Sequence, residues 1–250
     1  MDSQYDRILT SLDKISGSKI TVFGDYCLDK YLYIDPVRDE ISLETNLTAY
    51  QIHKKRISPG VGGTVTNNLC ALGARVDCIG IVGNDGEGHE LVNTLGDIGA
   101  NTSRMVKTDL QYTNTYIKPM RKGSDEVYSE LNRMDIRRFT PTEPELERTL
   151  IKMLEKSIAS STQGVIITDQ FMDESCSAIT PAIKKSLSDM AAKYNNIFFY
   201  VDSRGFANKY QNMIVKCNDK ELLSLFGKSI NDVIDESIIL EYSSKLAFYT

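Results

Sequence analysis

The feature that most restricts the fold is a repeated switch between short apolar runs and helical spacing. Residues 20–23 read as a first strand, and Val65, Leu69 and Leu72 share one face of a helix that ends near Gly73. Residues 76–82 read as one continuous strand, and Leu91, Val92, Leu95 and Ile98 mark the next helix, with Gly99 past its end. A helix carrying Leu146, Leu150, Met153, Leu154 and Ile158 follows, then a strand at 165–168. Thr180-Pro181 supplies a cap and a first-turn proline for a helix carrying Ile183, Leu187 and Met190. Strands at 197–201 and 213–216 precede a short helix that starts after Asn218 and stops near Gly227. Such alternation predicts an α/β domain, a mostly parallel sheet with helices on both faces. It extends over residues 1–250 without a linker, and with 41% hydrophobic and 25% charged residues the chain has the means to bury a core.

Two stretches break the alternation. About 31–57 and 112–134 carry period-two patterning with threonine and tyrosine and no helix, and Lys122-Gly123-Ser124-Asp125 is the tip of a hairpin. They read either as surface hairpins beside the main sheet or as a small β-lid over a cleft, and two separate insertions of like character favour the lid.

Charge and composition exclude several classes. The net charge is −5 with no basic block, against a nucleic-acid surface. Five cysteines without C-x-x-C spacing read as reduced thiols, and only His53 and His89 are available for a zinc site or a Ser-His-Asp triad. The N-terminal stretch lacks the apolar centre of a signal peptide, and no run is long enough to span a bilayer. A cytoplasmic protein with a small-molecule partner is the expectation.

In open parallel sheets ligands bind beyond the carboxyl ends of the strands. Polar groups cluster there: Gly24-Asp25 with Asp29, the turn 83–88, Asp169-Gln170, Asp202-Ser203-Arg204, and Asn218 with Glu221. Singly each is as well read as a helix cap or turn residue; together they make an acidic, hydrogen-bonding rim suited to hydroxyls and a divalent metal. Between the first strand and the first rim turn lies "SPGVGGTVTNN", residues 58–68. Neither G-x-x-x-x-G-K-[ST] nor a G-x-G-x-x-G after the first strand is present. Asn67 and Asn68 donate and accept, as recognition of a polyol requires, so this loop suits a neutral hydroxylated ligand or a close backbone contact better than a triphosphate.

Read in order, "VFGDYCLDKYLYIDPVRDEISLET", "SPGVGGTVTNNLCALGARVDCIGIVGNDGEGHEL", "ELNRMD" and "VDSRGFANKYQNMIVKCNDKE" resemble the ribokinase/PfkB family of carbohydrate kinases, nearest its heptose-phosphate kinase branch. The resemblance implies a ribokinase-like three-layer sandwich with a small β-lid, and ATP-dependent phosphorylation of a sugar or sugar-phosphate hydroxyl with Mg²⁺. It implies that Asp29, with Asp25 beside it, binds sugar hydroxyls. Gly60, Gly62, Gly63 and Thr64 would bring backbone to the sugar, and Asp169 or Gln170 would face sugar or phosphates. Lys216 and Asn218 would lie on the nucleotide side, with Asn218 and Glu221 organising Mg²⁺ through water. A homodimer through the lid is a further expectation of the resemblance.

Three departures stand out. The usual double glycine is Gly60-Val61, and the sugar-contacting asparagine is Thr64. The family's Gly-Ala-Gly-Asp, which carries the general base and anion hole, occurs nowhere in these 250 residues. The resemblance therefore places the base beyond Thr250, as in a kinase cut short, and the chain by itself is expected to be inactive. The alternatives are a non-catalytic sugar binder and an inert fragment.

Overall fold

Successive residues of a strand face opposite sides of a sheet, and the first strand uses both sides. Phe23 packs with Leu150, Leu154, Ile183 and Leu187, while Val22 packs with Leu91 and Leu95. A strand buried on both faces reads as an unbroken apolar run, which is why residues 20–23 show no polar alternation. The computed structural model describes residues 2–228 and 235–247; the end of the apolar pattern at 248–250 lies outside them.

In chain order the elements are α1 (Asp2–Ile15), β1 (Lys19–Gly24), β2 (Tyr26–Ile34), β3 (Glu40–Ile41), β4 (Thr48–Ala49), β5 (Ile52–Val61), α2 (Gly62–Ala71), β6 (Arg75–Ile79), β7 (Ile81–Gly83) and α3 (Gly86–Asp97). They continue with β8 (Val106–Thr108), β9 (Thr115–Lys122), β10 (Tyr128–Glu130), β11 (Met134–Ile136), α4 (Pro144–Ala159), β12 (Gly164–Asp169), α5 (Pro181–Lys193), β13 (Phe198–Ser203), β14 (Ile214–Lys216), α6 (Asp219–Leu225) and α7 (Glu236–Ala247). The central sheet has the order β14-β13-β12-β1-β6, and all its pairings are parallel. Helices α4 and α5 cover one face, α2 and α3 the other. This is the α/β architecture that the alternation predicts.

The two β-rich stretches come together in a second sheet of order β10-β9-β2-β5, with β11 on the same edge of β9 as β10, opposite β2. The hairpin tip falls between β9 and β10, where Gly123 N–H donates to the Val127 carbonyl at 2.8 Å. The second sheet begins earlier than the patterning suggests, at Tyr26, with Asp25 alone between it and the end of β1.

The expected single strand 76–82 is two. It breaks at Gly80, and β7 pairs with β8 instead of continuing in the central sheet. A Cβ at Gly80 would lie 2.5 Å from the Tyr26 ring and 2.6 Å from the Gly24 carbonyl oxygen. An isolated glycine in a strand pattern signals such a close approach. Helix α1, with Tyr5, Ile8 and Leu12 exposed, has the amphipathic spacing of a helix and is absent from the sequence reading. All five cysteines are free thiols, and no helix among the described residues is long and apolar enough to cross a membrane.

Candidate functional site

The joint between the two sheets is a single residue. β1 ends at Gly24, whose φ of +130° and whose missing Cβ, which would stand 2.4 Å from the Thr168 carbonyl oxygen, both require glycine. Asp25 follows and is 1% exposed. Its backbone N–H donates to the Thr168 carbonyl (2.9 Å), and its carbonyl accepts from Gly62 N–H and the Thr168 hydroxyl, both at 3.0 Å. Its carboxylate accepts from the N–H groups of Gln170 (3.0 Å), Phe171 (3.3 Å) and Ala178 (3.0 Å) and from the Ser177 hydroxyl (2.9 Å). Asp25 thus clasps both ends of the segment 170–178 and spends its carboxylate on protein. The expectation that it binds sugar gives way to a positioning role. Burial, with the neighbouring Asp169 charge added, raises its pKa from 3.8 to about 6, against the pull of its hydrogen bonds.

Asp169 does not open onto the rim either. It is fully buried, and its Oδ2 accepts from the hydroxyls of Tyr210 (2.7 Å) and Ser203 (2.8 Å) with the Lys184 ammonium at 3.4 Å. Its Oδ1 is buried without a hydrogen-bond partner. Burial raises its pKa although Lys184 and these hydroxyls oppose the shift. Gln170 is only partly buried at the rim, with its Nε2 donating to the Asp202 carbonyl at 3.0 Å.

Asp29 lies in the middle of the second sheet, paired across β2 with Ser58 on β5 and Tyr116 on β9. Its Oδ1 is 2.7 Å from the ammonium of Lys118, a cation of the second β-rich stretch; pairing with Lys30 or with such a cation is the alternative that the sequence leaves open to sugar binding. Lys118 also sits over the Tyr31 ring at 4.8 Å, and the Arg56 guanidinium over the same ring at 3.9 Å. Lys30 pairs instead with Glu87 (3.0 Å) and Glu90 (2.8 Å) of α3. Gly60 flanks Asp29: a Cβ there would be 2.5 Å from Cys27 Sγ and 2.9 Å from Asp29 Oδ2. Burial and the Asp29 charge push the Cys27 thiol up to about 12, so it is no nucleophile.

The remaining glycines of the loop serve the protein's own packing. A Cβ on Gly62 would meet the Asp25 carbonyl oxygen at 2.8 Å, and one on Gly63 the Pro59 side chain at 2.3 Å. Both residues are buried, so their lack of a side chain is accounted for by packing within the protein. Thr64 is exposed, with its hydroxyl donating to the Pro59 carbonyl at 3.3 Å. Val61, the N-cap of α2, adopts φ +56° and ψ −115°. That region is hostile to a β-branched residue and costs about 1–3 kcal/mol. Glycine removes the strain and reintroduces roughly 0.5–1 kcal/mol of chain entropy. Val61→Gly is therefore expected to stabilise the protein by about 1 kcal/mol in urea unfolding; a destabilised variant would show that the valine side chain contributes more than its backbone costs.

At the far end of the rim, Lys216 is 3.1 Å from both carboxylate oxygens of Asp202. Asn218 and Glu221 form a reciprocal cap on α6: Asn218 N–H donates to Glu221 Oε2 and Glu221 N–H to Asn218 Oδ1, both at 2.8 Å. Among the described residues no group of three His, Cys, Asp or Glu is gathered to hold a metal ion. This end offers Mg²⁺ no direct cage, and the residues fit it only at water's remove. The structure therefore brings Asp29, Gly60 and Lys118 together at one end and Lys216, Asn218 and Glu221 at the other, and turns Asp25 and Asp169 inward.

With this geometry in view, comparison with known proteins is informative. The model of the pfkB family carbohydrate kinases matches residues 19–241. The "Bifunctional protein HldE" of Sulfurimonas denitrificans is 29% identical over 220 residues, which cover 86% of this chain and 43% of that one. The chain spans less than half the length of the curated relatives it matches first. Among solved structures, the ribokinase of Giardia lamblia superposes with a TM-score of 0.60 at 15% identity, over 94% of this chain and 67% of that one. Arabidopsis thaliana ribokinase, complexed with ribose and ATP, gives 0.54 at 16%, over 93% and 69%.

Proposed function

The chain belongs to the pfkB family of carbohydrate kinases, and from that premise we propose that it binds a sugar or sugar phosphate for ATP-dependent transfer of the γ-phosphoryl group to a sugar hydroxyl. The observation that carries the reading is Asp29, held by Lys118 beside a glycine that leaves its carboxylate unobstructed. An ionised carboxylate accepts from two adjacent hydroxyls, and such charge-assisted bonds are worth roughly 1.5–3 kcal/mol each. Gln170 and Thr64 would serve at the margins of this sugar end. Lys216, Asn218 and Glu221 form the nucleotide end, where Asn218 and Glu221 would hold Mg²⁺ through water and the ion would supply charge neutralisation at the ATP phosphates.

A second reading is a sugar-binding protein without transfer activity. It draws on the strained Val61 and on the engagement of the rim carboxylates with protein partners.

Calorimetric titration with a panel of sugars and sugar phosphates tests the proposal. Asp29→Ala is expected to weaken sugar binding tenfold or more and to leave ATP binding unchanged; Asp29→Asn, which keeps the shape, is expected to fall between. Equal weakening of ATP would show that this end of the cleft is not the sugar end.

A further inference from the structure

A cavity of about 480 Å³ lies between the segments 84–85 and 108–112 on one side and 137–140 on the other. It shares no lining residue with the sites at Asp29 and at Glu221. Its volume is in the range that holds a drug-sized or nucleotide-sized molecule. Its walls are chemically unlike one another.

The 137–140 side is cationic. Arg138 is 8% exposed and its guanidinium meets only neutral oxygens: the carbonyls of Thr140 and Pro141 and the hydroxyl of Thr142, the last at 3.0 Å. Neither Arg138 nor the exposed Arg137 has a carboxylate within ion-pair distance among the described residues. Burial lowers the Arg138 pKa, with Glu143 acting on it only from beyond ion-pair distance, and an anion close by relieves the cost of such burial. The free N–H groups for such an anion belong to Arg137, whose fork suits a phosphate.

The opposite side is rich in acceptors. Asn84 donates to Asp109 Oδ1 at 2.8 Å, tying the ends of β7 and β8 together. Beside them, Gln111 Oε1 is buried and has no hydrogen-bond partner. Two aromatic side chains stand exposed at the same cavity, Tyr112 at 71% and Phe139 at 82%. Large exposed apolar groups rimming a cleft mark an interaction site.

We propose that this cavity is a second small-molecule site that takes a nucleoside monophosphate or a molecule of like build: a planar ring joined to one phosphate. The ring stacks on Tyr112 or Phe139, and the phosphate pairs with Arg137 in the field of Arg138.

The test is calorimetric titration of the 250-residue protein with AMP, GMP, adenosine and inorganic phosphate. AMP or GMP is expected to bind saturably, with adenosine and phosphate at least tenfold weaker. Arg137→Ala and Phe139→Ala, both exposed and expected to leave the melting temperature unchanged, should each weaken nucleotide binding tenfold or more, and Lys216→Ala should leave it intact. Three results overturn the proposal. One is no saturable binding of either nucleotide at millimolar concentration. Another is phosphate binding as tightly as the nucleotides. The third is nucleotide binding that survives Arg137→Ala and is lost in Lys216→Ala, which assigns it to the other end of the rim.

Discussion

Asp25→Ala is expected to cost at least about 3 kcal/mol of stability. The substitution leaves the N–H groups of Phe171 and Ala178 and the Ser177 hydroxyl buried without their acceptor, and the part-buried Gln170 N–H with them. Each such loss costs roughly 1–3 kcal/mol, reduced here by relief of a buried charge beside Asp169. Urea unfolding at pH 7.5 checks the value, and a loss under about 1 kcal/mol would mean that the segment 170–178 is held by other contacts. The same residue sets a pH dependence of unusual sign for a carboxylate. Its folded pKa of about 6 lies above the ordinary carboxylate value of 3.8, so between those limits the folded state binds more protons than the unfolded one. Its contribution is most favourable below about pH 4 and falls as pH rises to 6, by about 3 kcal/mol for two units. Asp25→Asn does not titrate there. Its stability relative to wild type is therefore expected to rise across this window, and a constant difference would sink the assignment.

Residues 1–250 alone are expected to show no detectable phosphorylation of any sugar. Loss of a general base costs about 10²–10⁴ in rate, and each missing anion-hole donor about 10²–10³. The resemblance assigns both to a Gly-Ala-Gly-Asp, which does not occur in these 250 residues, and the expectation rests on that assignment. The carboxylates along the rim offer no substitute: Asp25 and Asp169 are buried and engaged, Asp29 is paired with Lys118, Asp202 with Lys216, and Glu221 caps its helix. A coupled ATP assay over a sugar panel checks this. Turnover on the order of 1–100 s⁻¹, ordinary for kinases, would mean that one of these pairs opens to serve as the base.

The parts of the molecule that depend on neighbours in sequence were the legible ones. Thr180 caps α5 through Ile183 N–H as its S/T-Pro signal implies, and Gly73, Gly99 and Gly227 take the positive φ that ends a helix. Gly80 carried a signal for the break in the 76–82 run, and the Tyr5, Ile8, Leu12 spacing carried one for α1. What the sequence could not disclose depends on depth. Asp25, Asp29 and Asp169 are alike as letters at strand ends. Only the packed structure separates a clasp 1% exposed, a lid carboxylate beside Lys118, and a fully buried acceptor under Tyr210. Gly62 and Gly63 likewise read as ligand glycines, and only the packed structure shows the atoms beside them to be those of Asp25 and Pro59.

The one-residue joint at Asp25 also decides how the second sheet can move. A sheet carried on a flexible neck swings as a door does, with torsion concentrated at the crossing points. Here every crossing is pinned: Asp25 at both its N–H and its carbonyl, Gly62 to that same carbonyl, and Leu28 N–H to the Asn114 carbonyl at 2.9 Å beside the entry to β9. Rotation about these points would break four hydrogen bonds at once, two of them to Thr168 of the central sheet. The sheet is therefore a fixed wall at its root. Bending is left to the stretch past the irregular pairing at Tyr33 and Ile34, so access to Asp29 is governed by the outer half of the wall and by what leans against it.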